Sequence, residues 1–238
     1  MQAIRWREIA LVFQGAMNAL NPVQRIGDQI MEPILLHEHT SASVARTRAY
    51  ELLEGVGISA ARARDYPHQF SGGMRQRAMI AMALACRPGL VIADEPATAL
   101  DVMTQAQILD LIKGLRHDGN LAMILISHDL SVIAETCDRV AIMYAGKLVE
   151  QGPVGAVFAA PAHPYTKALI GAFPNIQGER RLVSGIPGHP PQLTDPPPGC
   201  RFYDRCPVHI EVCLSVDPSM RAAGPGQSAA CHLVPVAN

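Results

Sequence analysis

The segment Leu90-Val91-Ile92-Ala93-Asp94-Glu95 constrains this chain more than any other. Its apolar run reads as a strand buried on both faces, the pattern of a parallel sheet, and two adjacent carboxylates end it. Ligands of open α/β sheets bind at the carboxyl ends of the strands. Upstream, Ser71-Gly72-Gly73 opens the helical stretch Met74 to Leu84. That is a helix start whose backbone N–H groups let an anion come close. Downstream, Leu121 to Ile126 is a second apolar strand, ending in Ser127-His128-Asp129. Asp94 offers hard oxygen to Mg²⁺, Glu95 is placed to polarise a water, and His128 stands at a neighbouring strand end. Each feature alone has a plain structural reading: a strand exit, a surface histidine, a capped helix. In this order they imply nucleotide hydrolysis.

The rest of the chain supports an α/β domain followed by something different. Ile9 to Phe13 is a short apolar strand leading into Gln14, and Val44 to Leu53 is the clearest helix between Val23 and Leu84. Pro88-Gly89 ends the helix that Ser71 opens. Thr104 to Leu115 is amphipathic, with Ile108, Leu111, Ile112 and Leu115 on one face. Val140 to Tyr144 and Gly146 to Glu150 read as strand, turn, strand. From Pro153 onward lie fourteen of the nineteen prolines and four of the six cysteines, which marks a small loop-rich appendage. The expected division is therefore 1–152 and 153–238.

Composition excludes several classes. Lys and Arg total 20 against 21 Asp and Glu, a net charge of −1, so no nucleic-acid partner is expected. No apolar run approaches the ~20 residues that span a bilayer, and Met1 to Arg7 lack the apolar core of a signal peptide. A cytoplasmic chain that meets membranes only through partners is the expectation. No sustained heptad run supports the coiled coils of DNA-repair or chromosome ATPases.

Together these residues resemble the ATP-binding subunits of ABC transporters. Ser71 to Gln76 is similar to the signature motif, Leu90 to Glu95 to the Walker B strand, Ala99-Leu100-Asp101 to the D-loop, His128 to the switch histidine and Gln14 to the Q-loop glutamine. Asn18-Ala19-Leu20-Asn21-Pro22-Val23, Tyr66-Pro67-His68-Gln69-Phe70 and Ala162-His163-Pro164-Tyr165-Thr166 resemble the oligopeptide/dipeptide importer branch. The resemblance implies a P-loop NTPase-like nucleotide-binding domain with a helical subdomain that grips a membrane subunit. It implies ATP and Mg²⁺ as ligands, with Glu95, His128 and Gln14 catalytic and Asp94 and Gln14 at the metal. Ser71, Gly72, Gly73, Gln76 and Asp101 would face nucleotide, the signature residues closing over ATP held by a second ATPase subunit in a head-to-tail homo- or heterodimer. Permease subunits, and indirectly an extracytoplasmic solute-binding protein, are the implied partners. The implied place is the cytoplasmic face of the inner membrane, peripherally bound.

The chain departs from the family pattern in two places. No G-x-x-x-x-G-K-[ST] phosphate loop occurs in it, and only thirteen residues precede Gln14. An N-terminally truncated domain is the expectation, from a fragment or a truncated gene, with weak ATP binding of its own. A non-hydrolysing subunit acting through partners, and an importer ATPase for nickel or a sugar, stay open beside the peptide reading. Pro96-Ala97-Thr98 also lacks one hydroxyl of the usual Pro-Thr-Thr or Pro-Thr-Ser. In the tail, Cys200, Cys206, Cys213 and Cys231 are spaced C-x5-C-x6-C-x17-C. Similar cysteines in some peptide-importer ATPases imply a [4Fe–4S] cluster, with tetrahedral zinc as the alternative. Cys86 and Cys137 are expected to be buried thiols.

Overall fold

The computed structural model describes residues 4–15, 19–98, 100–117, 121–172 and 185–235. Within it the chain forms two compact units, Met1–Val132 and Ile133–Asn238.

The first unit is built on three parallel strands, β1 (Ile9–Val12), β2 (Leu90–Asp94) and β3 (Ala122–Ile126), in that order. Ile9 pairs with Leu90 and Leu90 with Ala122, so all three strands end at the same edge. Alternation sends Ala10, Val12, Val91 and Ala93 into the core. There they meet α3 (Gly72–Ala83) and α4 (Val102–His117), whose Ile108 and Ile112 are buried. The helical layer comprises α1 (Ile26–Glu38), α2 (Ala42–Gly55) and α3. Ile26, Ile30 and Ile34 on α1, and Ala45, Ala49 and Leu53 on α2, recur every fourth residue and are sealed from water. Ser41 caps α2, its hydroxyl accepting from Val44 N at 3.3 Å. Buried Gln29 ties the loop before α1 to the helix. It accepts from Asn21 N and donates to the carbonyls of Asn21 and Gln24.

The second unit follows α5 (Leu130–Thr136), which straddles the boundary, and holds an antiparallel sheet ordered β4-β5-β7-β6. The hairpin β4 (Arg139–Tyr144) and β5 (Lys147–Pro153) turns through Ala145 and Gly146, both with positive φ, as a tight two-residue turn requires. β6 (Arg221–Gly224) and β7 (Gln227–Ala229) come from the tail, and β7 pairs with β5. The contact boundary thus lies at Val132, ahead of the composition break at Pro153, because tail strands complete the sheet begun by β4 and β5. Three short helices accompany the sheet: α6 (Val154–Ala159), α7 (Pro164–Gly171) and α8 (Val212–Ser215).

Candidate functional site

The three parallel strands deliver the expected residues to one edge. Asp94 closes β2, and Glu95 follows in a left-handed conformation, φ 44°, which few non-glycine residues adopt. This turn is held by Glu95 N donating to Ile126 O at 2.9 Å and Thr98 N donating to Glu95 O at 3.1 Å. Both carboxylate oxygens are engaged. His128 Nδ1 lies 2.9 Å from Oε1, while Gln14 Nε2 and Thr98 Oγ1 donate to Oε2 at 3.1 and 2.7 Å. The hydrogen bond from His128, then that from Thr98, holds the Glu95 pKa below the ordinary carboxylate range, and the same bond raises His128. A cavity of about 190 Å³ opens beside them, and Ala97 and Thr98 are on its wall. Gln14, Glu95 and His128 are therefore brought together as expected. Thr98 is a member of the cluster that sequence reasoning passed over; its place three residues beyond Glu95 was the available signal.

Ser71 starts α3 as its N-cap, accepting from Met74 N at 3.3 Å, and is exposed. Asp101 caps α4 through Thr104 N and Oγ1 at 3.0 and 2.6 Å, which lowers its pKa. Ala99 and Asn18 lie outside the described residues. Gln76 departs from the expected nucleotide-facing position: it is 4% exposed, turned into the core, and its Nε2 lacks a hydrogen-bond partner. Successive residues of α3 face different sides, and the fifth position after Ser71 points inward. The two glycines also differ. A Cβ on Gly72 would meet only Leu100 Cδ2, at 3.5 Å, whereas one on Gly73 would fall 2.4 Å from Thr104 Cγ2. Gly73→Ala should therefore cost about 1–3 kcal/mol in urea unfolding, as over-packing does, and Gly72→Ala well under half of that.

The second unit gathers the tail cysteines. Cys200, Cys206, Cys213 and Cys231 line one small cavity, with Phe202, Tyr203 and His163 beside them. Gly199 permits this: a Cβ there would lie 2.2 Å from Cys213 O, and Cys200 N donates to that same oxygen at 2.8 Å. Burial, and secondarily the neighbouring thiols, push the Cys200 and Cys206 pKa values up. An all-sulfur donor set of this kind suits zinc or iron–sulfur. As they stand, no three or more His, Cys, Asp or Glu groups among the described residues are arranged to hold a metal ion. Cys86 is buried, with its pKa pushed up to about 11 by burial, but Cys137 is only half-buried, a correction to the expectation.

The turn at Ala162 and His163 is held by a carboxylate that sequence reasoning missed. Glu150 on β5 is fully buried and accepts from Ala162 N, His163 N and Gln227 Nε2 at 2.8, 2.9 and 2.7 Å. His163 Nδ1 in turn accepts from Tyr165 N at 3.0 Å. Burial drives the His163 pKa down to about 4, against a smaller opposing pull from Glu150. The unfolded chain therefore takes up a proton near pH 6.5 that the fold refuses until about pH 4. Stability is complete above pH 6.5 and falls with acid across that window, by roughly 3 kcal/mol in all. Urea titrations of metal-free protein at pH 7 and pH 4.5, followed by tyrosine near-ultraviolet dichroism, should show this loss, and His163→Gln should flatten it.

Residues 2–98 match the ABC transporter family, and residues 149–213 match the oligopeptide/dipeptide transporter C-terminal region. The chain is 46% identical over 233 residues to the oligopeptide transport ATP-binding protein OppD of Salmonella typhimurium, covering 97% of this chain and 69% of that one. It is 47% identical over 235 residues to the dipeptide transport ATP-binding protein DppD of Bacillus subtilis, covering 98% and 70%. Among solved structures, the ATP-binding cassette MJ0796, a dimer in a post-hydrolysis state bound to ADP and Pi, superposes with a TM-score of 0.57. That match has 30% identity and covers 64% of this chain and 65% of the other. The protein cbiO1 of Clostridium perfringens, part of an ABC transporter complex, gives 0.58 at 27% identity, covering 65% and 60%. The fold is that of an ABC ATPase domain, and the chain belongs to the family of ATP-binding subunits of oligopeptide/dipeptide ABC transporters. Among the described residues, no helix is long and apolar enough to cross a membrane.

Proposed function

We propose that this chain is an ATP-binding subunit energising peptide import across the cytoplasmic membrane, and that it works in a head-to-tail pair with a second ATPase subunit. The observation that carries the reading is the Gln14–Glu95–His128 cluster at the carboxyl edge of the parallel sheet. Asp94 and Gln14 would hold Mg²⁺, which supplies charge neutralisation on the phosphates. Glu95 orients the attacking water, and His128 and Thr98 fix the carboxylate for that task. Ser71, Gly72 and Gly73 present the start of α3 to the partner's nucleotide, while Asp101 holds the start of α4 beside them. No phosphate loop lies within these 238 residues. Permease subunits dock it peripherally at the inner face of the membrane, with the solute-binding protein acting through them.

Cys200, Cys206, Cys213 and Cys231 form a four-thiolate metal centre that organises the tail. A [4Fe–4S] cluster is the first reading. Zinc, held by the same four sulfurs, is the second.

Mixing purified chain with a phosphate-loop-bearing family member tests the functional reading. ATP with Mg²⁺ should drive association in analytical ultracentrifugation, whereas the chain alone should show negligible turnover. Absence of any ATP-dependent association sinks the proposal. Robust hydrolysis by these 238 residues alone, lost in Glu95→Gln, would show that no phosphate loop is needed for turnover.

A further inference from the structure

Ser71, Gly72 and Gly73 open α3 and Asp101 opens α4, and these two helix starts are distant in sequence but touch in space. A Cβ on Gly72 would meet Leu100 Cδ2 at 3.5 Å, and one on Gly73 would fall 2.4 Å from Thr104 Cγ2. The Thr104 methyl therefore lies close over the Gly73 backbone, where glycine leaves room for it. The other arm of the same side chain turns to Asp101. Thr104 Oγ1 donates to Asp101 Oδ2 at 2.6 Å, and Thr104 N donates to Asp101 Oδ1 at 3.0 Å. One half-buried residue thus holds both oxygens of a carboxylate while its methyl bears on the start of α3.

The two helices are joined again one turn further along. Arg77 Nη2 donates to Gln107 Oε1 at 3.0 Å, and Arg77 Nη1 donates to the carbonyl of Val56, at the end of α2, at 2.8 Å. Ile108 and Ile112 seal α4 into the core below. These contacts fix the helix bodies, so Thr104 is free to act on the first turns. There the charge of Asp101 stands next to the N–H groups of α3 that are proposed to meet an anion. Bonded at both oxygens, the carboxylate is directed into the amino end of its own helix, whose dipole favours it.

We propose that Thr104 is a positioning residue for ATP turnover by the paired ATPase subunits: its hydroxyl ties Asp101 back, its methyl seats the start of α3, and the two turns move as one piece. The inference rests on the head-to-tail reading above. Thr104 touches no nucleotide itself and acts through Asp101 and Gly73. Substitution separates its two arms, because valine keeps the methyl and loses the hydroxyl, and serine does the reverse.

Two measurements on the full 238-residue chain test this. The first, urea unfolding, needs no nucleotide. Gly73→Ala combined with Thr104→Ser, which removes the obstructing methyl, should recover most of the stability that Gly73→Ala loses, whereas Gly73→Ala with Thr104→Val should recover none. Failure of serine to rescue overturns the contact between the two turns. The second is steady-state ATPase of the complex with a phosphate-loop-bearing family member. Thr104→Val, with a urea midpoint close to that of wild type, should lower turnover about 10-fold, the factor that one hydrogen bond to a charged group supplies. Thr104→Ser should keep most of the wild-type rate. Asp101→Ala should fall at least as far as Thr104→Val, and adding Thr104→Val to it should cost nothing more, as expected when one residue acts through the other. Wild-type turnover in Thr104→Val, or additive losses in the double variant, overturns the positioning role and leaves the head-to-tail pair intact. A wild-type chain that shows no ATP-dependent association overturns the head-to-tail reading and the positioning role together.

Discussion

Gly72→Asp should leave the chain folded and yet reduce ATP turnover of a complex with a phosphate-loop-bearing partner at least 100-fold. The fold survives because a Cβ at this position meets only Leu100 Cδ2, at an ordinary van der Waals distance. The function fails because the new carboxylate stands where the start of α3 offers free N–H groups and a positive dipole end to an anion. Two like charges about 4–5 Å apart at an effective dielectric near 20 repel by roughly 3–4 kcal/mol, and a phosphate carries more than one charge. Urea unfolding of the variant alone and steady-state ATPase of the complex separate the two effects. Turnover like that of wild type would show that Ser71, Gly72 and Gly73 face no nucleotide.

Glu150→Leu should unfold the second unit and spare the first. Leucine fills a similar volume, so packing changes little. What disappears is the acceptor for Ala162 N, His163 N and Gln227 Nε2, the last two in buried bonds, with Gln227 Nε2 left only the carbonyl of Ala160. Each orphaned buried donor costs about 1–3 kcal/mol, so a total of roughly 3–5 kcal/mol is expected. That is a large share of what a unit of this size holds in reserve. Glu150→Gln should fare little better, because its amide group would turn a donor toward another donor. Hydrogen exchange read by mass spectrometry should show protection lost across 139–153 and 221–231, with 26–98 unchanged. Uniform protection in Glu150→Leu would mean that the carboxylate does not hold the sheet.

Much of this architecture was legible in the sequence because local patterns there agree with tertiary structure. The strand ending in Asp94 is apolar on both faces, and Ser71 caps its helix through neighbours three residues away. Such signals need no knowledge of distant partners. β6 and β7 were not legible. Arg221–Gly224 and Gln227–Ala229 are short, carry glycine and alanine, and become strands only by pairing, β7 along β5 and β6 along β7. Glu150 reads as an ordinary polar strand end until Gln227 and the turn at Ala162 surround it. The left-handed backbone of Glu95 leaves no trace in residue type, since glutamate seldom adopts it without the flanking bonds to Ile126 and Thr98. The four cysteines were readable as a set, but their shared cavity depends on Gly199, which looked like one more residue of a Pro-Gly-rich loop.

The pairing of β5 with β7 has a consequence for synthesis. Glu150 and Gln227 are separated by 77 positions, so β5 leaves the ribosome with its carboxylate and one strand edge unmet. At roughly 5–20 residues per second the missing partner arrives several seconds later, far longer than a hairpin takes to form. During that interval β4 and β5 form a lone two-stranded ribbon, too little to stand by itself in water. The nascent chain therefore spends those seconds with a sticky edge exposed, and a ribosome stall between these two positions would release a species prone to aggregate.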